Sequence, residues 1–534
     1  MLFEDKGRGI MITGKSIAKG ALVVMAATLM SRLFGFIRET QIAEYFGASG
    51  ATDAYLVAFS VPSGIGMAIA AAVSAGFIPV LNNYLVLNER DNAAKVANTL
   101  LNIIFVVLLA LTALGMLFAP YLVVRLVPGF SPDAVRLTVE LILLMFPSLI
   151  FISLMGLASG FLNSHQHFLF PALGPMVTSI VIIGTILTWG RSWGIKGLAA
   201  GTLAGFTLQL LVQIPVMYKK GFRYKLEFAV LHPGVIKVFK LMAPVLVASL
   251  VPPVMVLVEK GLASKLTIGS ISALNYAFRL MQLPQGLFVM AVSIPLFPAL
   301  STFAAQKDFA RLKETMIKAV SVLALIMIPA SAGLLALDEP IVRLLFQRGA
   351  FQAKDTIPTA YALAFYALAL LPLALRDVFR RVFYAVQDTL TPVILTIGSF
   401  LLNIALDLFL VKIMGIGGLA LGAALSVMVE AAILYLLLNG KLAGLPGKSF
   451  FKLLLKLIAA AVIMGAAAYY CSNLIGLRFD MGTDRGRMLQ VGASVMVGFL
   501  TYVLAVVVLR VGEIREAIGI VKGFFRKTSP GSDS

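Results

Sequence analysis

Charge is what this chain has little of. Only 13% of its 534 residues are Asp, Glu, Lys or Arg, against roughly 25% in a soluble domain. Too few charges remain to cover a water-facing surface of that size. A single cysteine, Cys471, excludes an intramolecular disulfide and any cysteine-based metal cluster. The three histidines, His165, His167 and His232, are too few and too scattered for a metal site. What is present is apolar: 60% hydrophobic residues and a mean hydropathy of +0.96. Apolar blocks recur along the whole length, many near the ~20 residues a membrane-spanning helix needs. The expected class is therefore an all-α integral membrane protein.

About fourteen transmembrane helices are legible. The first seven fall near 17–42, 54–82, 97–119, 134–160, 168–190, 197–218 and 237–259. The rest fall near 270–302, 315–337, 356–386, 391–411, 416–438, 453–473 and 488–509. With the amino terminus inside, Lys and Arg favour the inner segments by about two to one, which places both termini in the cytoplasm. The net charge of +19 then reads as positive-inside bias, with no call for nucleic acid. The richest inner loop is Lys219-Lys220-Gly221-Phe222-Arg223-Tyr224-Lys225 near mid-chain. The basic amino terminus leads into a segment without a small-residue cleavage site, so it reads as a retained first helix.

The sequence repeats at an offset of 221 residues. Gly194-Ile-Lys-Gly-Leu-Ala-Ala-Gly201 returns as Gly415-Ile-Gly-Gly-Leu-Ala-Leu-Gly422, Tyr55 as Tyr276, and Pro62-Ser-Gly64 as Pro284-Gln-Gly286. Six spans separate the copies, an even number, so the halves are parallel repeats. The expectation is two six-helix lobes, 1–230 and 231–440, around a central cavity. Residues 441–534 add two further helices and a cytoplasmic tail. Gly and Pro inside spans 2 and 8 are expected to bend those helices where they line the cavity.

Charges inside the spans are costly, ~2.5–3.5 kcal/mol each at mid-bilayer on insertion scales, and so point to a cavity. Arg32, Arg38 and Glu39 lie in span 1 and Arg279 in span 8. Guanidinium groups make bidentate hydrogen bonds to phosphate oxygens, so Arg32, Arg38 and Arg279 are candidates for a pyrophosphate. The structural alternative pairs Arg38 with Glu39 or Asp53. Asn403 and Asp407, at i and i+4 in span 11, share a helix face and could join Glu259 as oxygen ligands to a small cation. Asp377, Arg376 and Glu430 read as polar groups satisfied between helices.

Gly9-Ile-Met-Ile-Thr-Gly14-Lys15-Ser16 fits the phosphate-loop pattern, but no strand precedes it and a membrane span follows. It is read as chance, with Lys15 as an inner anchor. No hydrolase or zinc-protease pattern is found in a plausible context, and the outer loops are too short for a glycan-building enzyme. The expectation is not an enzyme.

Several motifs together resemble a known family. They are Ser31-Arg32-Leu33-Phe34-Gly35-Phe36-Ile37-Arg38-Glu39, Phe46-Gly47-Ala48 and Ala51-Thr52-Asp53-Ala54-Tyr55. With them go Leu345-Phe346-Gln347-Arg348-Gly349-Ala350-Phe351 and Phe383-Tyr384-Ala385-Val386-Gln387-Asp388-Thr389-Leu390-Thr391-Pro392. Over nearly its whole length the chain resembles the MurJ (MviN) lipid II flippases of the multidrug/oligosaccharidyl-lipid/polysaccharide exporter superfamily. The resemblance implies outward flipping of an undecaprenyl-pyrophosphate-linked peptidoglycan precursor by alternating access in the bacterial cytoplasmic membrane. It implies a lipid-tail groove beside the last two helices and possible contacts with cell-wall synthesis proteins. It implies no bound organic cofactor, with sodium or membrane-potential coupling. The cavity set it points to is Arg32, Arg38, Glu39, Asp53 and Arg279, and the sodium set is Glu259, Asn403 and Asp407. Two departures lower the cavity's charge: the family's span-2 arginine falls at Gly66, and an acidic residue after Arg279 falls at Gln282. They keep open an exporter of another lipid-linked oligosaccharide or polysaccharide. A small-molecule exporter on the same fold is a more distant reading.

Overall fold

The computed structural model describes residues 14–510 apart from 191, 443 and 446. Most of the phosphate-loop-like stretch, and the tail beyond Arg510, lie outside the described residues. The first half holds α1 (Gly14–Phe46), α2 (Gly50–Val86), α3 (Arg90–Leu126), α4 (Pro132–Met145), α5 (Ser148–Ser164), α6 (Leu169–Trp189) and α7 (Gly194–Lys219). Then come α8 (Pro233–Ala263), α9 (Ser270–Pro284), a π-helical turn (Gln285–Val289), α10 (Met290–Ala305), α11 (Phe309–Ala336) and the short α12 (Asp338–Phe346). The last are α13 (Ala353–Ala367), α14 (Leu370–Ala385), α15 (Leu390–Met414), α16 (Ile416–Lys441), α17 (Gly447–Arg478) and α18 (Asp484–Val508). No β-strand occurs among the described residues.

A helix or helix pair stands at every one of the fourteen expected spans. Eleven are long and apolar enough to cross a membrane, and α13 with α14, bent by 41°, makes a twelfth. At the first and eighth positions the apolar run is interrupted, by Arg32, Arg38 and Glu39 in one and by the π-helical turn in the other. The expected bends are realised unequally. α2 runs as one helix through Pro62 and Pro79, whereas its counterpart unwinds just after Pro284. Proline removes an amide donor from the helix ladder, and a π turn is one way to absorb the loss.

The repeat is real in the backbone. Thr178 Oγ1 donates to the Gly205 carbonyl at 3.2 Å, and 221 residues on, Ser399 Oγ donates to the Ser426 carbonyl at 3.1 Å. Gly194 and Gly415 take φ of +55° and +56° at the matching turns, a left-handed conformation that costs glycine nothing. The recurring Gly201 and Gly422 let helix pairs close up. A Cβ there would lie 2.0 Å from Thr185 Oγ1 and 2.2 Å from Asp407 Oδ1.

Two compact units result. One comprises the described residues of Met1–Ile42, Val57–Val124 and Asp133–Val254; the other comprises those of Ala43–Leu56, Arg125–Pro132 and Met255–Ser534. The division falls at 254/255 within α8, and not at 230/231, and α17 and α18 go with the second unit. The reason is visible in the first unit. Residues 222–229 run extended along α3, whose buried Asn98, Thr99 and Asn102 bond the backbone of Arg223, Lys225, Glu227 and Ala229 at 2.9–3.3 Å. Early α8 then packs tightly: Cβ atoms at Gly234 and Gly76 would meet Val96 and the Val238 carbonyl at 2.7 Å. The inter-repeat linker is thus tied into the first unit.

The histidines serve the loops. His165 Nδ1 lies 2.9 Å from the Phe161 carbonyl at the end of α5, and His232 Nδ1 accepts from the Gly234 amide at the start of α8. His167 stacks on Phe170 at 5.6 Å; partial burial, then the charge of Lys220, pushes its pKa below the ordinary value.

Candidate functional site

In the first unit the candidates share α1. Arg38 Nη2 lies 2.7 Å from Glu39 Oε1, with Glu39 buried and the Arg38 side chain 19% exposed. This is the adjacent pair that the structural alternative described. It does not remove Arg38 as a donor, because a guanidinium carries five N–H groups. Arg32 is exposed. Gly66, the position of the family's missing arginine, faces Ile152, whose side chain a Cβ would meet at 3.0 Å. Packing there leaves no open space for a longer side chain without movement of Ile152.

In the second unit Asp53 is given to the fold. Its Oδ2 accepts from the Gly269 amide at 2.7 Å, and its Oδ1 accepts from the Ser272 amide at 2.8 Å and hydroxyl at 2.5 Å. The carboxylate caps the amino terminus of α9, where free amides and the helix dipole favour an anion. With 3% exposure and three donors already in place, Asp53 is not presented to a ligand, contrary to its place in the cavity set. Arg279 is nine residues along the same helix from Ser270, roughly 13 Å away at 1.5 Å per residue, so the two do not share a site. Arg279 Nη1 reaches Gln282 Oε1 at 3.4 Å, the position where the family carries an acid.

Glu259, Asn403 and Asp407 do come together. Tyr366 of α13 donates to Glu259 Oε1 at 2.8 Å, and Asn403 Nδ2 donates to Asp407 Oδ1 at 3.1 Å. Glu259 interacts electrostatically with Asp407, and Tyr366 feels both carboxylates. Asn403 and Asp407 are buried. The group is entirely oxygen and amide, the donor type that hard cations take. Among the described residues no cluster of three or more His, Cys, Asp or Glu could hold a metal, so any cation here rests on two carboxylates with the Asn403 amide and the Tyr366 hydroxyl. Tyr366 was not legible, since nothing in the pattern of span 10 distinguishes it from the aromatics around it.

A second buried charged group lies between α14 and α16. Glu430 pairs with Arg380 and lies 3.7 Å from Arg376 Nη1; Arg380 Nη2 also bonds Thr396 Oγ1 at 2.8 Å. Arg376 meets Asp377 at 3.8 Å. Arg380, which the sequence did not single out, is the nearer of the two arginines on Glu430. Gln209, the counterpart of Glu430, takes a hydrogen bond from Thr178 at 2.5 Å. The halves therefore keep the position and exchange a neutral pair for a charged one.

The conspicuous motifs are latches. Gly47 and Gly349 close the end of α1 onto the turn after α12. The Ala350 amide donates to the Glu44 carbonyl at 2.7 Å, and Tyr276 packs on Phe346 and Phe351 while its hydroxyl reaches the Gly47 carbonyl. Asp388 caps α15 through the Thr391 amide and hydroxyl. The Lys441 ammonium, then the Thr391 amide, holds its carboxyl down to about 2.

Compared with known proteins, the chain matches the family described as lipid II flippase MurJ over residues 42–483. It is 29% identical to the lipid II flippase MurJ of Burkholderia cenocepacia over 484 residues, 89% of this chain and 93% of that protein. It is 31% identical to the probable lipid II flippase MurJ of Rhizobium meliloti over 465 residues, 85% and 86% of the two chains. Among solved structures, lipid II flippase MurJ in an inward closed conformation superposes with a TM-score of 0.77 at 27% identity, over 92% of this chain and 99% of that one. An inward-facing multidrug resistance transporter of the MATE family, in the MOP superfamily, shares the fold with a TM-score of 0.67 at 16% identity, over 79% and 98%.

Proposed function

Because this chain belongs to the MurJ family of lipid II flippases, we propose that it carries lipid II from the inner to the outer leaflet of the bacterial cytoplasmic membrane by alternating access. The family is one of transporters and not a catalytic class. The observation that carries the reading is likeness in both sequence and fold along nearly the whole chain. Both termini face the cytoplasm, as the distribution of Lys and Arg favours.

Arg38, with Arg32, in the first unit and Arg279 in the second are each assigned to contact the pyrophosphate. Glu39 orients the Arg38 guanidinium, and Asp53 leaves the set. Hydrogen bonds to a charged group contribute about 1.5–3 kcal/mol each, so losing either arginine should weaken head-group binding roughly tenfold to a hundredfold. The test is depletion of the lipid II flippase of a bacterial host with this chain supplied in its place. Wild type should restore growth, and Arg38→Ala and Arg279→Ala, at equal membrane levels, should not. A well-inserted wild type that fails to rescue favours the second reading, export of another lipid-linked glycan, which the uncharged Gly66 and Gln282 keep open.

Sodium at Glu259, Asn403 and Asp407 would offset one of the two neighbouring carboxylate charges and drive the return step. The membrane potential would add ~2.3 kcal/mol per charge per 100 mV. Asp407→Ala should abolish the sodium dependence of transport in vesicles; unchanged dependence rejects the assignment.

A further inference from the structure

α13 and α14 make one apolar span broken by a bend of 41°. The break has a local cause. Pro372 has no amide to offer the Leu368 carbonyl, and its ring crowds that oxygen. α13 therefore ends at Ala367 and α14 begins at Leu370. The turn between them is held by shorter-range bonds: the Leu368 and Ala369 amides donate to the Phe365 and Tyr366 carbonyls at 3.2 and 3.0 Å. The Ala367 carbonyl accepts from the Ser331 hydroxyl of α11 at 2.6 Å. With its own ladder interrupted, the angle of this span is set by what its neighbours hold.

Tyr366 lies in the last turn before the break and ties it to the cation group. It is 3% exposed, its ring meets Phe278 of α9 edge-on at 5.5 Å, and its hydroxyl donates to Glu259 Oε1 at 2.8 Å. An ionised carboxylate only accepts, so the proton of this bond is the hydroxyl's, and the phenol oxygen keeps lone pairs for a cation. Phenylalanine would pack on Phe278 as well, so the ring alone does not call for the hydroxyl. Asp407 is held differently. Asn403 donates to its Oδ1 from the same helix, and a Cβ at Gly422 of α16 would lie 2.2 Å from that oxygen. The Asp407 carboxylate is therefore fixed against α15 and α16, whereas the Glu259 carboxylate, which feels the Asp407 charge, is held by Tyr366. A cation that draws on Glu259 pulls on the end of α13.

We propose that Tyr366 is a positioning residue which, through its bond to Glu259, carries cation binding to the bend between α13 and α14. This rests on the cation reading above and adds to it the element that responds. Helix ends that meet at a break are where hinges absorb a change of angle. A ligand shifts such an equilibrium only by interacting differently with its two states. Here the differing contact is the hydrogen bond from Tyr366 to Glu259. By linkage, the bend acts back on cation affinity by the same factor.

The test joins two measurements on the full chain in lipid nanodiscs. Sodium binding is read by calorimetric titration, with choline as the control cation. The bend is read by pulsed dipolar spectroscopy between spin labels at Ile357→Cys on α13 and Tyr384→Cys on α14, in a Cys471→Ser background; both positions are exposed. Sodium should shift the label separation in the chain that retains Tyr366, and choline should not. Tyr366→Phe keeps the ring and removes the hydroxyl. It should bind sodium about tenfold more weakly and, at saturating sodium, keep the separation it has without it. Tyr361→Phe, an exposed tyrosine of the same helix, should change neither readout. Sodium binding with no shift in the chain that retains Tyr366 overturns the proposal while leaving the cation reading intact, and needs no variant at Tyr366. An undiminished shift in Tyr366→Phe overturns it as well. Absence of saturable sodium binding overturns the cation reading and this proposal with it. Neither measurement depends on growth rescue.

Discussion

Asp53→Ala should destabilise the folded protein by on the order of 4 kcal/mol, because three buried donors would lose their acceptor at once. The donors are the Gly269 amide and the Ser272 amide and hydroxyl. Asp53→Asn keeps one carbonyl acceptor and should lose about half as much, and Ser272→Ala about 1 kcal/mol. Chemical unfolding in detergent, read through the change in midpoint, ranks the three. The damage should appear as lowered membrane levels, with head-group affinity preserved in whatever fraction folds. A variant as stable as wild type but unable to bind precursor would return Asp53 to the binding set.

Gly349→Val should be at least as severe. Gly349 sits at φ +56°, and a Cβ there would lie 2.3 Å from the Glu44 carbonyl oxygen. Left-handed backbone costs a branched residue at least 1–2 kcal/mol. The clash would also push apart the 2.7 Å bond between the Ala350 amide and that same carbonyl. About 4 kcal/mol or more is expected, with loss of the fold at growth temperature. Gly47→Ala meets the Ala350 carbonyl at 2.6 Å from the opposite side and should behave alike. Arg348→Ala is the contrast. Arg348 is exposed and bonds the Leu344 and Leu345 carbonyls at the end of α12, so its loss should cost only about 0.5–1 kcal/mol. Comparable thermal stability in Gly349→Val and Arg348→Ala would reject the latch.

These two sites show where reading the sequence stops. The motifs around Asp53 and Gly349 are among the most specific in the chain and identify the family well. Nothing in their spacing says that Asp53 caps a helix beginning 217 positions later, or that Gly349 closes on the end of α1. A carboxylate beside a membrane segment looks the same from the sequence whether it meets a substrate or a row of helix amides. The burial of Asp53 and the direction of its donors exist only once α9 has been placed.

Apolar length fixed the fourteen helical positions, because a chain this poor in charge must satisfy its backbone internally and can do so in lipid only as helices or closed barrels. The 221-residue offset fixed the repeat, because equal sequence closes equal turns, as at Gly194 and Gly415. The i,i+4 spacing placed Asn403 and Asp407 on one face before any coordinates were needed. The tertiary structure alone decided the rest. It brought Tyr366 to Glu259, turned Arg380 toward Glu430 while its counterpart half used Thr178 and Gln209, and bound the linker to α3 so that the unit boundary fell inside α8. Each of these depends on which helices become neighbours. That choice is made by side-chain packing and by the pairing of buried polar groups between segments far apart in the chain, a pairwise property that no single segment carries.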